Sequence, residues 1–439
     1  MSNIRKKATF GRFFFAYMQN LLYLCALFDA GAMNYIVFIL VIAMIFGFSD
    51  FLTERDPRLQ RGIYYLALIV ITFLFTIKYY YGADINTYVP FYDQVPTVSE
   101  LLAHPDDIPH DLELGYAIFC RVMKDMGVSF YWMTAIISLL YFGTIALLFR
   151  QIKRKRAFAL AILVVLDYNC IFATYRQCLA VTCFVLMVLC MQNRKYFWVA
   201  ILAILTALFH KSGAFVVAVM ILYGMVRGRW VKPVIYQTLL AVLVLVFLLP
   251  IADISQAFIS HLPIPANYAE SINHHLMLGK QVQVVFAMYA AVLFLISYYS
   301  TFRRSRMGSI AAVAFVGLAF VAVLYQYYYL LWRIRSYFLP LIIVYGFNLV
   351  QSIEDEQIHV PYGRLVRQMA CLVIFVYLGH FTYLCKRSSL ESKHDIYEVC
   401  TVFDLVDHRA SDVQKSQLLK AKLWWEEDFM KNQQNKVNR

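Results

Sequence analysis

Apolar runs of helical length recur along nearly the whole chain, separated by short polar or basic breaks. They fall near residues 33–49, 62–79, 128–149, 157–172, 177–192, 196–210, 213–226, 233–250, 281–300, 308–331, 336–350 and 368–385. A helix needs ~20 apolar residues to cross hydrocarbon, so the pattern predicts an all-α, polytopic membrane bundle of about 12–13 transmembrane helices. Several runs are shorter than ~17 residues and must tilt, stay inside the bundle or enter part way. A further aromatic stretch at 13–29 either spans or lies in the interface, since Gln19, Asn20 and Asp29 interrupt it. Arg5, Lys6, Lys7 and Arg12 precede it without a clean small-residue cleavage site, so an uncleaved first helix is expected. The expected organisation is a transmembrane domain over 1–385 and a polar tail over 386–439.

Basic residues sort between alternate loops. Residues 1–12, 50–61, 150–156, 193–195, 227–232, 302–306 and 351–367 hold 22 Lys or Arg. The complementary loops and the spans, tail excluded, hold eight: Lys78, Arg121, Lys124, Arg176, Lys211, Lys280, Arg333 and Arg335. The positive-inside rule places the first set in the cytoplasm and the second set outside. The tail, with ten basic and nine acidic residues, carries little orientation signal; Trp424 and Trp425 beside three acids read as a short amphipathic helix.

Composition narrows the class. The 439 residues are 61% hydrophobic and 15% charged, against ~45–50% and ~25% in soluble domains, which excludes an ordinary soluble enzyme and a disordered chain. The formal charge of +13 is read as topology rather than nucleic-acid binding, because it accompanies a mean hydropathy of +0.61. The nine cysteines fall mostly in apolar stretches, among them Cys170, Cys178, Cys183, Cys190 and Cys371, without metal-ligand spacing, and read as small buried hydrophobes.

Two outward loops are long. The loop at 80–127 carries Asp84, Asp93, Asp106, Asp107, Asp111 and Glu113, then an amphipathic or re-entrant helix with Leu114, Ile118, Val122 and Met126 as its apolar stripe. The loop at 251–280 carries two prolines, directly after Pro250, and a His pair. No inverted repeat of the transporter kind is visible.

Ionisable groups at membrane depth cost ~2.5–3.5 kcal/mol on insertion scales and so call for an explanation. Four outward places concentrate them. Residues 79–92, YYYGADINTYVPFY, offer Asp84 as a carboxylate and Tyr88 and Tyr92 as sugar-stacking rings, although an aromatic belt with a capping Asp has the same residues. Tyr175, Arg176 and Gln177 form a minimal turn whose guanidinium suits bidentate capture of phosphate; snorkelling or a structural pair with Asp167 is the alternative. His210, Lys211 and Ser212 form a second minimal turn, with a proton shuttle, a cation and a cap. Trp332–Tyr337 is expected as a third turn, with Arg335 toward a cavity and Arg333 toward headgroups.

Together these residues resemble the EpsG family of Wzy-like polysaccharide polymerases. The resemblance rests on YGADINTY, on ELGY from Glu113 to Tyr116, on YRQCLA from Tyr175, on FHKSG from Phe209 to Gly213 and on RIRSYF from Arg333. It implies a bacterial inner-membrane, multi-pass enzyme with a helical, GT-C-like, lipid-donor glycosyltransferase fold. The implied reaction polymerises oligosaccharide repeat units carried on undecaprenyl pyrophosphate, for capsule, exopolysaccharide or O-antigen. The expected partners are that lipid-linked oligosaccharide, membrane lipid, and a chain-length regulator and flippase of the same pathway, with no nucleic acid, cofactor or metal.

The expected roles follow. Arg176 and Arg335, supported by Arg333 and Lys211, hold the departing pyrophosphate; Asp84 or Glu113, with His210 as competitor, takes the acceptor proton; Tyr88, Tyr92, Tyr116 and Gln177 bind sugar. A flippase for the same lipid is the alternative from another class, and it predicts ionisable residues through the midplane and two related halves. An O-antigen ligase differs only in acceptor.

Overall fold

A computed structural model describes residues 35–54, 56–80, 85–103, 112–227, 328–354 and 400–401, with the single positions 310, 313, 314 and 317. The expected helices at 13–29, 233–250, 281–300 and 368–385, most of that at 308–331, the loop at 251–280, Asp84 and nearly all of the tail lie outside the described residues.

The described residues form helices α1 (Tyr35–Leu52), α2 (Pro57–Thr76), α3 (Ile85–Gln94), α4 (Val98–Ala103), α5 (Leu114–Asp125), α6 (Phe130–Phe149), α7 (Arg156–Phe172), α8 (Tyr175–Gln192), α9 (Tyr196–Phe209), α10 (Lys211–Arg227) and α11 (Tyr328–Glu354). Two short strands, β1 (Lys78–Tyr80) and β2 (Cys400–Thr401), pair antiparallel, Lys78 opposite Thr401 and Tyr80 opposite Cys400. Through this pair Cys400 and Thr401 of the tail region meet the chain that follows α2.

Local chemistry sets the helix starts. Asp56 caps α2 by accepting from the Arg58 and Leu59 amides at 2.9 and 3.2 Å, and Pro57 sits where a missing N–H costs nothing. Along α2, Gln60, Tyr64, Ala67, Ile71, Leu74 and Phe75 are buried, while Tyr65, Ile69 and Phe73 on other faces are exposed. A helix apolar on its outer face as well as its inner one matches hydrocarbon surroundings. By length and composition α2, α6 and α8 are each able to cross a membrane.

α8 lies at the centre and is buried nearly all round, packed between α6, α9 and α11. One end of the bundle gathers basic connections: Lys155 pairs with Glu54 at 3.3 Å and the Gln151 amide donates to Gln192 at 2.8 Å. The opposite end gathers β1 and the α7–α8 and α9–α10 turns, each only one or two residues long. This second end carries the candidate chemistry.

Two expectations are corrected here. The stretch 332–337 is no turn, because α11 runs unbroken from Tyr328 to Glu354. The buried side of α5 is Tyr116, Ala117 and Cys120, while Val122 and Met126 of the expected stripe are exposed.

Candidate active site

Arg176 stands in the first turn of α8 and Glu113 at the N-cap of α5, 63 residues apart in sequence. Their side chains meet at 2.6 Å from Nη1 to Oε2, with relative exposures of 16% and 8%. Glu113 makes no capping bond to its own helix; instead its other oxygen accepts from the Lys211 amide at 3.0 Å, at the start of α10. A carboxylate here meets a guanidinium and a helix N-terminus, two of the strongest anion partners a protein offers. The Arg176 Nε donates to the Tyr88 hydroxyl at 3.1 Å. Tyr88 is in turn held between the rings of Tyr116 and Tyr175, at centroid distances of 5.5 and 5.6 Å.

Two glycines let these elements approach. A Cβ on Gly115 would lie 2.7 Å from the Leu208 carbonyl oxygen, and one on Gly213 would lie 2.2 Å from the Thr206 carbonyl oxygen. The glycines of ELGY and FHKSG thus bring α5 onto the end of α9 and α10 onto α9, which sets Glu113 beside the Lys211 amide.

His210 is buried in the α9–α10 turn. The Ser212 amide donates to its Nδ1 at 3.1 Å, the Ser212 hydroxyl lies 2.7 Å from the same nitrogen, and the Tyr337 hydroxyl lies 3.1 Å from that hydroxyl. A ring nitrogen that accepts from a backbone amide carries no proton, so the neutral imidazole holds its proton on Nε2. Burial, reinforced by the charges of Arg176, Arg333 and Lys211, pushes His210 down to about 3. The neutral imidazole therefore offers Nε2–H as a donor, with Nδ1 engaged by Ser212.

The arginines of α11 exchange roles. Arg335 is buried and its Nη2 donates to the Leu166 carbonyl at 2.5 Å, where non-helical dihedrals at Asp167 (φ −127°, ψ 15°) break α7. The Ser336 hydroxyl donates to Asp167 at 2.6 Å, so Asp167 engages α11 and not Arg176. Arg333 is the half-buried one, and its charge is felt at His210. Through this bond Arg335 engages the α7–α11 junction.

The residues expected to bind sugar all lie inside. Tyr116 and Gln177 are fully buried, Tyr88 and Tyr92 nearly so. The Tyr92 hydroxyl donates to the Val128 carbonyl at 2.5 Å, and the Gln177 amide donates to the Arg333 carbonyl at 2.7 Å, joining α8 to α11. Tyr92, Tyr116 and Gln177 are packing and bridging residues in this arrangement, because their rings and amide are covered by neighbouring helices, and Tyr88 orients Arg176.

A family model for the EpsG family matches residues 61–390, 330 of the 439 positions, and so takes in every residue of this cluster. The chain belongs to the EpsG family. With its apolar helices, membership makes this a membrane protein with a polysaccharide-polymerase-like role. Comparison with curated proteins and with solved structures gives no match.

Within this EpsG-family cluster, Ser212 and Tyr337 join His210 in one hydrogen-bonded chain, whereas the sequence alone suggests only a helix cap for Ser212 and part of a turn for Tyr337. The one available signal was their spacing: Ser212 two residues after His210, and Tyr337 two after Arg335 in RIRSYF.

Proposed function

We propose that this EpsG-family protein is a multi-pass enzyme of the bacterial inner membrane, with a GT-C-like bundle, that polymerises undecaprenyl-pyrophosphate-linked oligosaccharide repeat units at the outer face. Capsule, exopolysaccharide or O-antigen is the polymer class. The reading is carried by the contact of Arg176 and the Lys211 amide with Glu113. Orientation is supported by the basic connections at the opposite end of the bundle, such as Arg150–Arg156 and Arg194–Lys195.

The Glu113 carboxylate occupies a seat that suits a diphosphate oxygen. Arrival of the lipid-linked donor transfers Arg176 to the diphosphate and releases Glu113 for the acceptor. The anomeric carbon–oxygen bond to diphosphate then breaks, the acceptor hydroxyl oxygen bonds that carbon, and its proton passes to a carboxylate. Undecaprenyl pyrophosphate departs with the electron pair. Arg176, with Arg333 and Lys211 nearby, meets the charge that develops on the leaving oxygen; one such donor is typically worth ~2.7–4 kcal/mol. Glu113 and Asp84 are the candidate bases, and His210 donates through Nε2.

The test is reconstitution in vesicles with one defined undecaprenyl-pyrophosphate-linked repeat unit. Products of many repeats, with one undecaprenyl pyrophosphate released per bond formed, support the reading. Transfer of single units to a preformed acceptor lipid indicates a ligase instead, and leaflet exchange without bond formation a flippase.

A further inference from the structure

Lys78 is a buried charge that the mechanism above does not use. It follows α2 directly, is 1% exposed, and among the described residues has no carboxylate partner. Its Nζ donates to the carbonyls of Ile171 at 2.6 Å and Phe172 at 3.2 Å, the last two residues of α7. The Cys170 carbonyl accepts from the Thr174 hydroxyl at 3.0 Å. Three of the last four carbonyls of α7 are thereby satisfied, two of them by this one ammonium, at the helix end where a cation is favoured.

The ammonium also lies 5.0 Å from the Phe172 ring centre and 4.9 Å from that of Tyr175. It therefore grips the last residue of α7 and the first of α8, on both sides of the two-residue turn. Arg176 comes next in the chain, and the Tyr175 ring supports Tyr88, whose hydroxyl Arg176 holds. The ammonium supplies both donors that these two carbonyls accept.

We infer that Lys78 is a positioning residue that closes the carbonyl end of α7, fixes the entry of α8, and so aims the Arg176 guanidinium at the diphosphate. The inference rests on the proposed function for what Arg176 grips. Lys78 makes no contact with the reacting atoms in it.

The test is a double-mutant cycle on purified full-length protein in nanodiscs, with affinity for undecaprenyl pyrophosphate as the readout and melting temperature as the check on folding. Arg176→Ala is expected to weaken binding roughly 100-fold, Lys78→Met roughly tenfold, and the double variant no more than Arg176→Ala alone, since a lysine acting through Arg176 has nothing left to aim. Lys78→Gln keeps an amide donor and should recover part of the loss; it takes the place of Lys78→Met if that variant does not fold. Additive losses, or unchanged binding in folded Lys78→Met, would overturn the inference while leaving the diphosphate reading standing. Unchanged binding in Arg176→Ala would overturn both.

Discussion

Arg176 and Glu113 meet at 2.6 Å across a gap that no local chain segment bridges, one at the start of α8 and the other at the start of α5. Each is largely shielded from water, so their attraction is screened much less than that of an exposed pair. An acid held by a guanidinium and a helix N-terminus is a stand-in for an anionic ligand, and that substitution makes the pair testable.

Glu113→Gln removes the competing charge and keeps the shape. Affinity for undecaprenyl pyrophosphate should rise several-fold, up to about tenfold or ~1.4 kcal/mol, while kcat falls by ~10²–10⁴ if Glu113 takes the acceptor proton. Weaker binding in this variant would mean that Glu113 holds Arg176 in place for the ligand and does not occupy the ligand's seat.

His210 should stay neutral through the physiological range. Its folded value, near 3, lies below the ordinary imidazole value of 6.5. The unfolded chain therefore takes up the proton first, and the His210 contribution to stability is intact above about pH 6.5 and is lost progressively as pH falls toward 3. Nitrogen-15 NMR of selectively labelled protein should show an Nε2–H imidazole without titration between pH 5 and 8. His210→Gln, which retains an amide donor, should keep more activity than His210→Phe. A midpoint near 6.5 in the spectra would return His210 to the role of base.

Much of this site could be read from the residues and some could not. The tight turns before Tyr175 and at His210 were legible because long apolar runs met there with no room for a loop. The unbroken course of α11 was not, since RIRSYF resembles a polar break until Arg335 and Ser336 find interior partners on α7. Tyr116 and Tyr92 show a second limit: a tyrosine of the outer belt, a stacking platform and a core ring look alike in sequence, and only packing distinguishes them. Lys78 counted merely as one outward charge, because its partners are carbonyls 93 and 94 residues away.

The two arginines of α11 should separate cleanly. Arg335→Ala strips a buried donor from the Leu166 carbonyl and should lower the folded yield and the melting temperature, a loss of ~1–3 kcal/mol. Arg333→Ala should leave folding near wild type and reduce turnover. Equal yields with activity lost only in Arg335→Ala would restore Arg335 as the cation that meets substrate.

Backbone approach at the two glycines is a matter of ångströms. Gly213→Ala sets a methyl 2.2 Å from the Thr206 carbonyl, and Gly115→Ala sets one 2.7 Å from that of Leu208; overpacking of this kind costs ~1–3 kcal/mol or more. Thermal unfolding should show both losses. Gly143→Ala, where a Cβ meets nothing within 4 Å, should be neutral or stabilising by up to about 1 kcal/mol. Tolerance of alanine at 115 with full activity would mean that α5 need not touch α9 for Glu113 to function.

The most direct measurement is turnover by Arg176 variants in vesicles supplied with a single defined undecaprenyl-pyrophosphate-linked repeat unit. Arg176→Ala should fold, reach the membrane at wild-type levels and lose ~10²–10³ in kcat, as expected when one donor to a developing oxyanion is removed. Arg176→Lys should recover little of it, because a point charge cannot reproduce the planar fork. Polymer of normal length made at the normal rate by Arg176→Ala would contradict the account.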